Sequence, residues 1–402
     1  MDHDSLLIIL PLSVHKVGQE VWIEQQAANG LIQWLNNFSM VTVGLKLLPG
    51  KPASGSVAIS SLRLGDRLFI ELFDPAWTPL KFLHHYPRER KRLGMLIEKH
   101  HYLHFAIGGA WGDWGAIGAL EAAKKGRKFS VWTDRVESIA MHQHALKVSG
   151  LKRIVRSFYA YVAQWLERRV ICKSTVGLFH GMNTYEVYKD FCSNPQLVHD
   201  IHLKPSDHID PQKLNQKLIE CSAQPLEIIY AGRIHPDKAP LEWIETLRIV
   251  HNSGVDFQAR WFGTGPLERE AKSLVQKKKL TRNVHFLGNI VNRAELFNQL
   301  RLSHIMVFCH VTPESPRCLI EALAFGTPIV GYESAYAQDL IAKNGGGRLS
   351  AMNPAALAGV IIEIARDPGA LRHMIEAAAS AGAHFNDVDV FAHRAELMKK
   401  YS

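Results

Sequence analysis

Apolar residues recur along the chain in short blocks, and between the blocks their spacing lengthens to that of a helix. Leu6–Leu12 is apolar almost throughout and predicts a buried strand. Met40–Gly44, Arg67–Phe73, Tyr102–Ile107, Phe129–Thr133 and Val176–Phe179 predict five more. Gln19–Asn36, Pro79–His100 and Val136–Cys172, the last with a turn near Gly150, carry helical spacing between them. From Pro205 to Gln224 the pattern fades into polar sequence, which predicts a domain boundary there. The alternation then restarts, with strands predicted at Leu226–Ala231, Phe257–Phe262, Val284–Leu287, His304–Cys309 and Ile329–Tyr332. Helices are expected at Pro240–Asn252, Pro266–Lys279, Arg293–Leu300 and Arg317–Phe325, with only helices beyond Ile341. Strands alternating with helices of this length predict an α/β chain of βαβ units around parallel sheets, and two Rossmann-like domains facing a cleft. Ligands of such sheets bind at the carboxyl ends of the strands.

Length agrees: 402 residues suit two or three domains. The five cysteines, Cys172, Cys192, Cys221, Cys309 and Cys318, are odd in number and form no C-x-x-C, which argues against a disulfide framework or a cysteine zinc site. The run Leu6–Leu12 is far short of the ~20 residues that span a bilayer, and Asp2 and Asp4 give an acidic start unlike a signal peptide. A cytoplasmic protein is expected. Charge alters this picture. Residues 1–200 hold 24 Lys and Arg against 17 Asp and Glu, whereas residues 201–402 hold 23 against 21. The excess gathers at Arg88–Arg92, Lys124–Lys128 and Lys152–Arg156, the last followed by Phe158, Tyr159, Tyr161 and Trp165. A basic helix with aromatic residues fits an anionic membrane surface, hence a peripheral position on the inner face of a membrane. It equally fits a solvated face over a packed one. No nucleic-acid-binding signature accompanies the charge.

The candidate chemistry sits at strand ends. Leu226–Ala231 runs into Gly232-Arg233-Ile234-His235-Pro236-Asp237-Lys238, where a glycine permits a tight turn and two cations can reach one anion. Solvated surface cations are the alternative. Trp261-Phe262-Gly263-Thr264-Gly265-Pro266 offers outward backbone amides, or simply a tight βα loop. His285-Phe286-Leu287-Gly288 ends a third strand. After the fourth comes His310-Val-Thr-Pro-Glu314-Ser-Pro-Arg317-Cys318-Leu319-Ile-Glu321-Ala-Leu-Ala-Phe-Gly326-Thr-Pro. Glu314 precedes a helix, where a carboxylate is favoured by the dipole. Glu321 lies among apolar neighbours and needs a hydroxyl or cationic partner.

Taken together, G-R-x4-K, the F-G-x-G loop, the F-x-G loop and E-x6-E-A-L-A-F-G-T-P over residues 226–370 resemble the C-terminal domain of glycosyltransferase family 4, with the GT-B fold. The resemblance implies an acceptor-binding domain over 1–210, a nucleotide-sugar domain over 211–385 and a final helix over 386–402 that crosses back to the first domain. It implies transfer of a sugar from a nucleotide-diphosphate donor to an acceptor hydroxyl, with retention and without metal, in bacterial-type glycan or glycolipid synthesis. Arg233 and Lys238 match the pair that neutralises the leaving diphosphate, and Glu321 the carboxylate that grips the ribose. Gly232, Gly263, Gly265, Phe286, Leu287, Arg317, Cys318 and Leu319 fall at donor-binding positions. Glu314 stands for the family's first glutamate, which faces the sugar. Here the two glutamates are spaced E-x6-E rather than E-x7-E, and Ser315-Pro316-Arg317 replaces the usual glycines. A GT-B protein that binds nucleotide or glycan without catalysis is therefore the alternative.

The first half departs further from the pattern. Gly18 is the one glycine after the first strand, and Asp134 or Arg135 stands where the family places a histidine near the transferred sugar. Gly108-Gly109-Ala-Trp111-Gly-Asp113-Trp114 suits an acceptor, with rings over sugar faces and Asp113 accepting from hydroxyls, or else a helix start capped by Asp113. His180 ends a further strand. Histidine pairs at His199/His202 and His100–His104 lack the glutamate of a zinc motif. The D-x-D strings at Asp2–Asp4 and Asp387–Asp389 lie near the chain ends, and no metal or other cofactor is expected beyond the donor itself.

Overall fold

The computed structural model describes residues 4–222 and 225–402; Asp2 of the first D-x-D string lies outside them. The chain forms two compact units. One runs up to His202 and takes in Pro313–Ser315 and Asp387–Ser402; the other comprises Leu203–Thr312 and Pro316–Asn386. The chain thus changes unit at His202 rather than at residue 210.

The first unit is built on a nine-stranded sheet. Its strands are β1 (Ser5–Val17), β2 (Glu20–Glu24), β3 (Met40–Leu48), β4 (Ser56–Ala58), β5 (Leu68–Phe73), β6 (Tyr102–Ala106), β7 (Ser130–Thr133), β8 (Val176–His180) and β9 (Pro195–Val198). The parallel part runs β5-β3-β1-β6-β7-β8-β9. Leu6–Ile9 lies at its centre and is wholly buried, as expected of a strand covered on both faces. Helices α1 (Gln25–Asn37), α2 (Pro79–Lys99), α3 (Trp114–Lys124), α4 (Glu137–Leu146), α5 (Gly150–Ile171) and α6 (Met182–Tyr188) complete it. Leu93 and Ile97 of α2, Ala119 of α3 and Val170 of α5 pack with Leu7, Phe105, Val131 and Phe179 in one core. The last helix, α15 (Asp387–Tyr401), belongs to this unit. Its Phe391 meets Trp34 edge-on at 5.1 Å, and its buried Arg394 lies 3.9 Å over Trp132 while pairing with Asp200 at 2.9 Å.

The second unit has a six-stranded sheet: β10 (Leu226–Ala231), β11 (Phe257–Phe262), β12 (Val284–Gly288), β13 (Ile305–Phe308), β14 (Ile329–Tyr332) and β15 (Gly347–Ser350). Their order is β12-β11-β10-β13-β14-β15, all pairs parallel, the doubly wound order that reverses between β10 and β13. Helices α7 (Pro211–Glu220), α8 (Pro240–Asn252), α9 (Glu268–Lys277), α10 (Arg293–Leu302), α11 (Arg317–Ala324), α12 (Ala335–Ala342), α13 (Pro354–Arg366) and α14 (Pro368–Gly382) belong to it.

Several expectations are corrected. Gln19–Glu24 is not helical: β1 runs on past Leu12 to Val17 and turns back as an antiparallel hairpin, Val17 opposite Glu20. Gly18 is the exposed turn residue of that hairpin, with φ +62°, and not a strand-to-helix loop. Residues 205–224 contain α7, whose Asp210 accepts from the Lys213 amide and whose Pro211 occupies the first turn. Strand β15 follows Ile341, where only helices were expected. Val136–Cys172 is helical with the expected turn near Gly150: two helices parted by residues 147–149.

Candidate functional site

The reversal point of the second sheet brings the loops after β10 and β13 side by side, the position at which doubly wound sheets bind ligands. The amide of Val311 donates to the Asp237 carbonyl at 3.2 Å, and the Tyr230 hydroxyl meets Nε2 of His310 at 2.6 Å. Arg233 is exposed at this edge. Lys238 ends a short 3₁₀ turn, Pro236–Lys238, and is only 9% exposed. Burial, and then the charge of Lys238, push the His310 pKa well below the usual value, so His310 is neutral. No local sequence signal marks His310 as a partner of β10, 80 residues away.

The neighbouring loops are laced to the first. Gly232 donates to the Phe262 carbonyl at 2.9 Å, Ile234 to the Thr264 carbonyl at 3.0 Å, and Gly263 to the Gly288 carbonyl at 2.7 Å. Gly263 has φ +140°, and a Cβ there would stand 2.1 Å from the Gly232 carbonyl oxygen. A Cβ on Gly265 would stand 2.3 Å from the Ile234 oxygen. The close approach that demands these glycines is therefore loop against loop. Phe286 and Leu287 end β12, with Leu287 exposed.

Glu321 lies on the second turn of α11 and is buried, as its apolar neighbours imply. Its cationic partner is Arg293 at the start of α10, 2.7 Å away. Arg293 also stacks over Phe297 at 4.8 Å. No local sequence signal marks this pair, since 28 residues separate its members. Arg317, Cys318 and Leu319 form the first turn of α11, whose cap, Pro316, makes no side-chain hydrogen bond to the helix.

Glu314 is placed differently from its sequence neighbours. Pro313–Ser315 belongs to the first unit, where Glu314 bridges to Arg135 through the backbone and its carbonyl accepts from Asn183 Nδ2 at 3.0 Å. The Ser315 hydroxyl donates to the His180 carbonyl at 2.5 Å. Arg135 pairs with Glu137. Burial opposes its charge, but Glu137, Asp134 and Glu314 together hold its pKa above the usual value. Exposed Asp134 and half-buried Glu314 thus share one cation at the end of β7.

The remaining first-unit residues divide. His180, at the end of β8, is buried and stacked on Trp132 at 5.6 Å. Trp111 packs against Phe82 of α2 and Tyr159 of α5, at 5.7 and 5.8 Å. Asp113 is the N-cap of α3: Oδ1 accepts from Ala116 at 2.9 Å and Oδ2 from Gly108 at 2.8 Å. Burial raises its pKa, and these amides with Lys46 act against the rise. Its carboxylate accepts from backbone amides at the helix start, as the capping alternative expects. Gly18, in the hairpin, is also removed from the strand-to-helix position that made it a candidate. Among the described residues no group of three or more His, Cys, Asp or Glu side chains could hold a metal ion, and no helix is long and apolar enough to cross a membrane.

Residues 215–381 match the family described as Glycosyl transferases group 1. Over 200 residues the chain is 28% identical to the amylovoran biosynthesis glycosyltransferase AmsK of Erwinia amylovora, covering 48% of this chain and 49% of that one. Over 153 residues it is 28% identical to a putative colanic acid biosynthesis glycosyltransferase, WcaL, of Escherichia coli, covering 37% of each. The chain thus spans about half or less of the curated relatives it matches. Among solved structures, HepE of Anabaena in complex with UDP-glucose has a TM-score of 0.68 at 14% identity, all of both chains being covered. WaaG, a glycosyltransferase involved in lipopolysaccharide biosynthesis, has 0.65 at 12% identity, with 98% of this chain and 99% of that one covered. The fold is that of the GT-B glycosyltransferases.

Proposed function

We propose that this chain, a GT-B fold whose second unit matches glycosyl transferases group 1, transfers a sugar from a nucleotide-diphosphate donor to an acceptor hydroxyl of a bacterial glycan or glycolipid. The observation that carries the reading is the pair Arg233 and Lys238 on the β10 loop, at the reversal point of a doubly wound sheet. Solved neighbours with this fold hold UDP and UDP-glucose, which supports a nucleotide-sugar donor.

In this proposal the bond between the anomeric carbon and the diphosphate oxygen breaks. The two cations stabilise the charge that develops on that oxygen. The acceptor oxygen bonds to the same face of the sugar, which retains configuration, and its proton passes to the departing diphosphate. The cations take the place of a metal ion. Glu321, oriented by Arg293, binds the ribose, and neutral His310 ties the β13 loop to Tyr230 of β10 without opposing Lys238. Trp111 and His180 serve the acceptor in the first unit, while Asp134 and Glu314 keep the roles near the transferred sugar that the family resemblance implies.

Thermal-shift screening with UDP-, GDP- and ADP-sugars tests the donor, because a ligand that binds only the native state raises apparent stability. One nucleotide series is expected to raise the melting temperature and to turn over with a bacterial glycan acceptor. A shift without turnover would favour a nucleotide-binding protein that has lost catalysis. No shift with any series would overturn the proposal.

A further inference from the structure

We propose that α5, together with the start of α2, is a docking surface for an anionic lipid bilayer. Leu151, Ile154, Val155, Phe158, Tyr161 and Trp165 recur at three- and four-residue intervals, so they share one face of α5. Such a stripe ordinarily faces a core. Here all six are exposed, and α5 packs inward through Ala160, Ala163, Leu166 and Val170 instead. Among the described residues this stripe is therefore open to solvent rather than packed, while Tyr159 beside it meets Trp111.

The charge on the same helix selects the occupant. Leu151–Arg156 is exposed at every position, and these turns carry Lys152, Arg153 and Arg156. No acidic residue occurs between 150 and 166; the first, Glu167, is buried and bonded to Ser138 and Tyr188. The start of α2 is joined to α5 through the ring contacts Phe82–Trp111 and Trp111–Tyr159. It presents exposed Trp77, Leu80 and Leu83 with exposed Lys81 among them. Apolar and aromatic side chains enter the headgroup boundary while flanking cations meet anionic lipid. An apolar face on a helix whose exposed charged residues are all basic complements that surface better than it complements a second copy of itself, whose bases would repel. The inference concerns the first unit only and does not depend on the donor reading.

The test is co-sedimentation of the full chain with phosphatidylcholine vesicles, with and without about one-third phosphatidylglycerol, at low and high salt. Binding is expected only to the anionic vesicles and is expected to weaken with salt. The triple variant Lys152→Glu, Arg153→Glu, Arg156→Glu is expected to lose on the order of 100-fold in partitioning, at about fivefold per cation. Ile154→Ser, Phe158→Ser, Trp165→Ser together is expected to lose roughly tenfold or more through its apolar contacts. The nucleotide-induced thermal shift serves as the folding control, and circular dichroism replaces it if no nucleotide binds. Equal partitioning into neutral vesicles, no binding to anionic ones, or binding indifferent to both variants would overturn the proposal. So would a lipid-free dimer that the serine variant converts to monomer, since the stripe would then be a subunit interface.

Discussion

Lys238→Met removes a buried cation while keeping a stem of similar length, and its effect should exceed that of Arg233→Ala. The difference follows from exposure. Lys238 is 9% exposed and Arg233 is open to solvent. A charge pair about 4 Å apart is worth ~1 kcal/mol in water and ~4 kcal/mol at the effective dielectric constant of a partly buried site. In the proposed transfer Lys238 is therefore expected to supply ~3–4 kcal/mol, or ~10²–10³ in kcat, and Arg233 ~1 kcal/mol, or about fivefold to tenfold. Initial rates of nucleotide release with acceptor present, alongside calorimetric affinity for the nucleoside diphosphate, give both quantities for each variant. Loss in Arg233→Ala equal to or greater than that in Lys238→Met would refute the reasoning, as would unchanged turnover in Lys238→Met with the melting temperature preserved.

Three further outcomes are expected. Arg293→Ala leaves Glu321 buried without its guanidinium; it should cost ~1–3 kcal/mol of stability and raise the donor KM more than it lowers kcat, with partial rescue by Arg293→Lys. Asp113→Ala should cost ~1 kcal/mol through loss of the α3 cap, whereas Asp113→Asn should cap nearly as well and retain transfer; a large loss of turnover in the asparagine variant would restore an acceptor role for the carboxylate. Burial raises the Glu167 carboxyl to about 7, with Ser138 and Tyr188 acting against the rise. Between the ordinary glutamate pKa and pH 7 the native state then binds more protons than the unfolded one, so this contribution is complete in acid and fades as pH rises through 7. Melting temperatures from pH 5 to 8 should fall by an amount equivalent to about 3 kcal/mol, and the fall should vanish in Glu167→Gln.

How much was legible in the sequence depended on distance along the chain. The motifs of the second unit were readable because each is a contiguous string at the end of one strand. Parallel strands buried on both faces also announce themselves as apolar runs, as Ile305–Phe308 and Ile329–Tyr332 do. Local signals failed where an element is short or its core face is thin. Strand β2 was lost inside a longer helical spacing, and β15 offers Leu349 as its one large aliphatic residue. Helix α7 shows only Leu214, Leu218 and Ile219 among polar neighbours, although Asp210-Pro211 was a usable start signal.

The sequence by itself determined the α/β class, the two-part division and the identity of the residues at the strand ends. Tertiary structure alone decided which of them meet: Glu321 with Arg293, His310 with Tyr230, and Glu314 with the first unit beside Arg135. It also decided that Asp113 caps a helix start and that Gly263 lies against a neighbouring loop too closely for a Cβ. Above all it decided the fate of the α5 stripe. Periodicity fixes that six apolar side chains share one side of a helix, but whether that side meets a core or the solvent depends on what the rest of the chain packs against it.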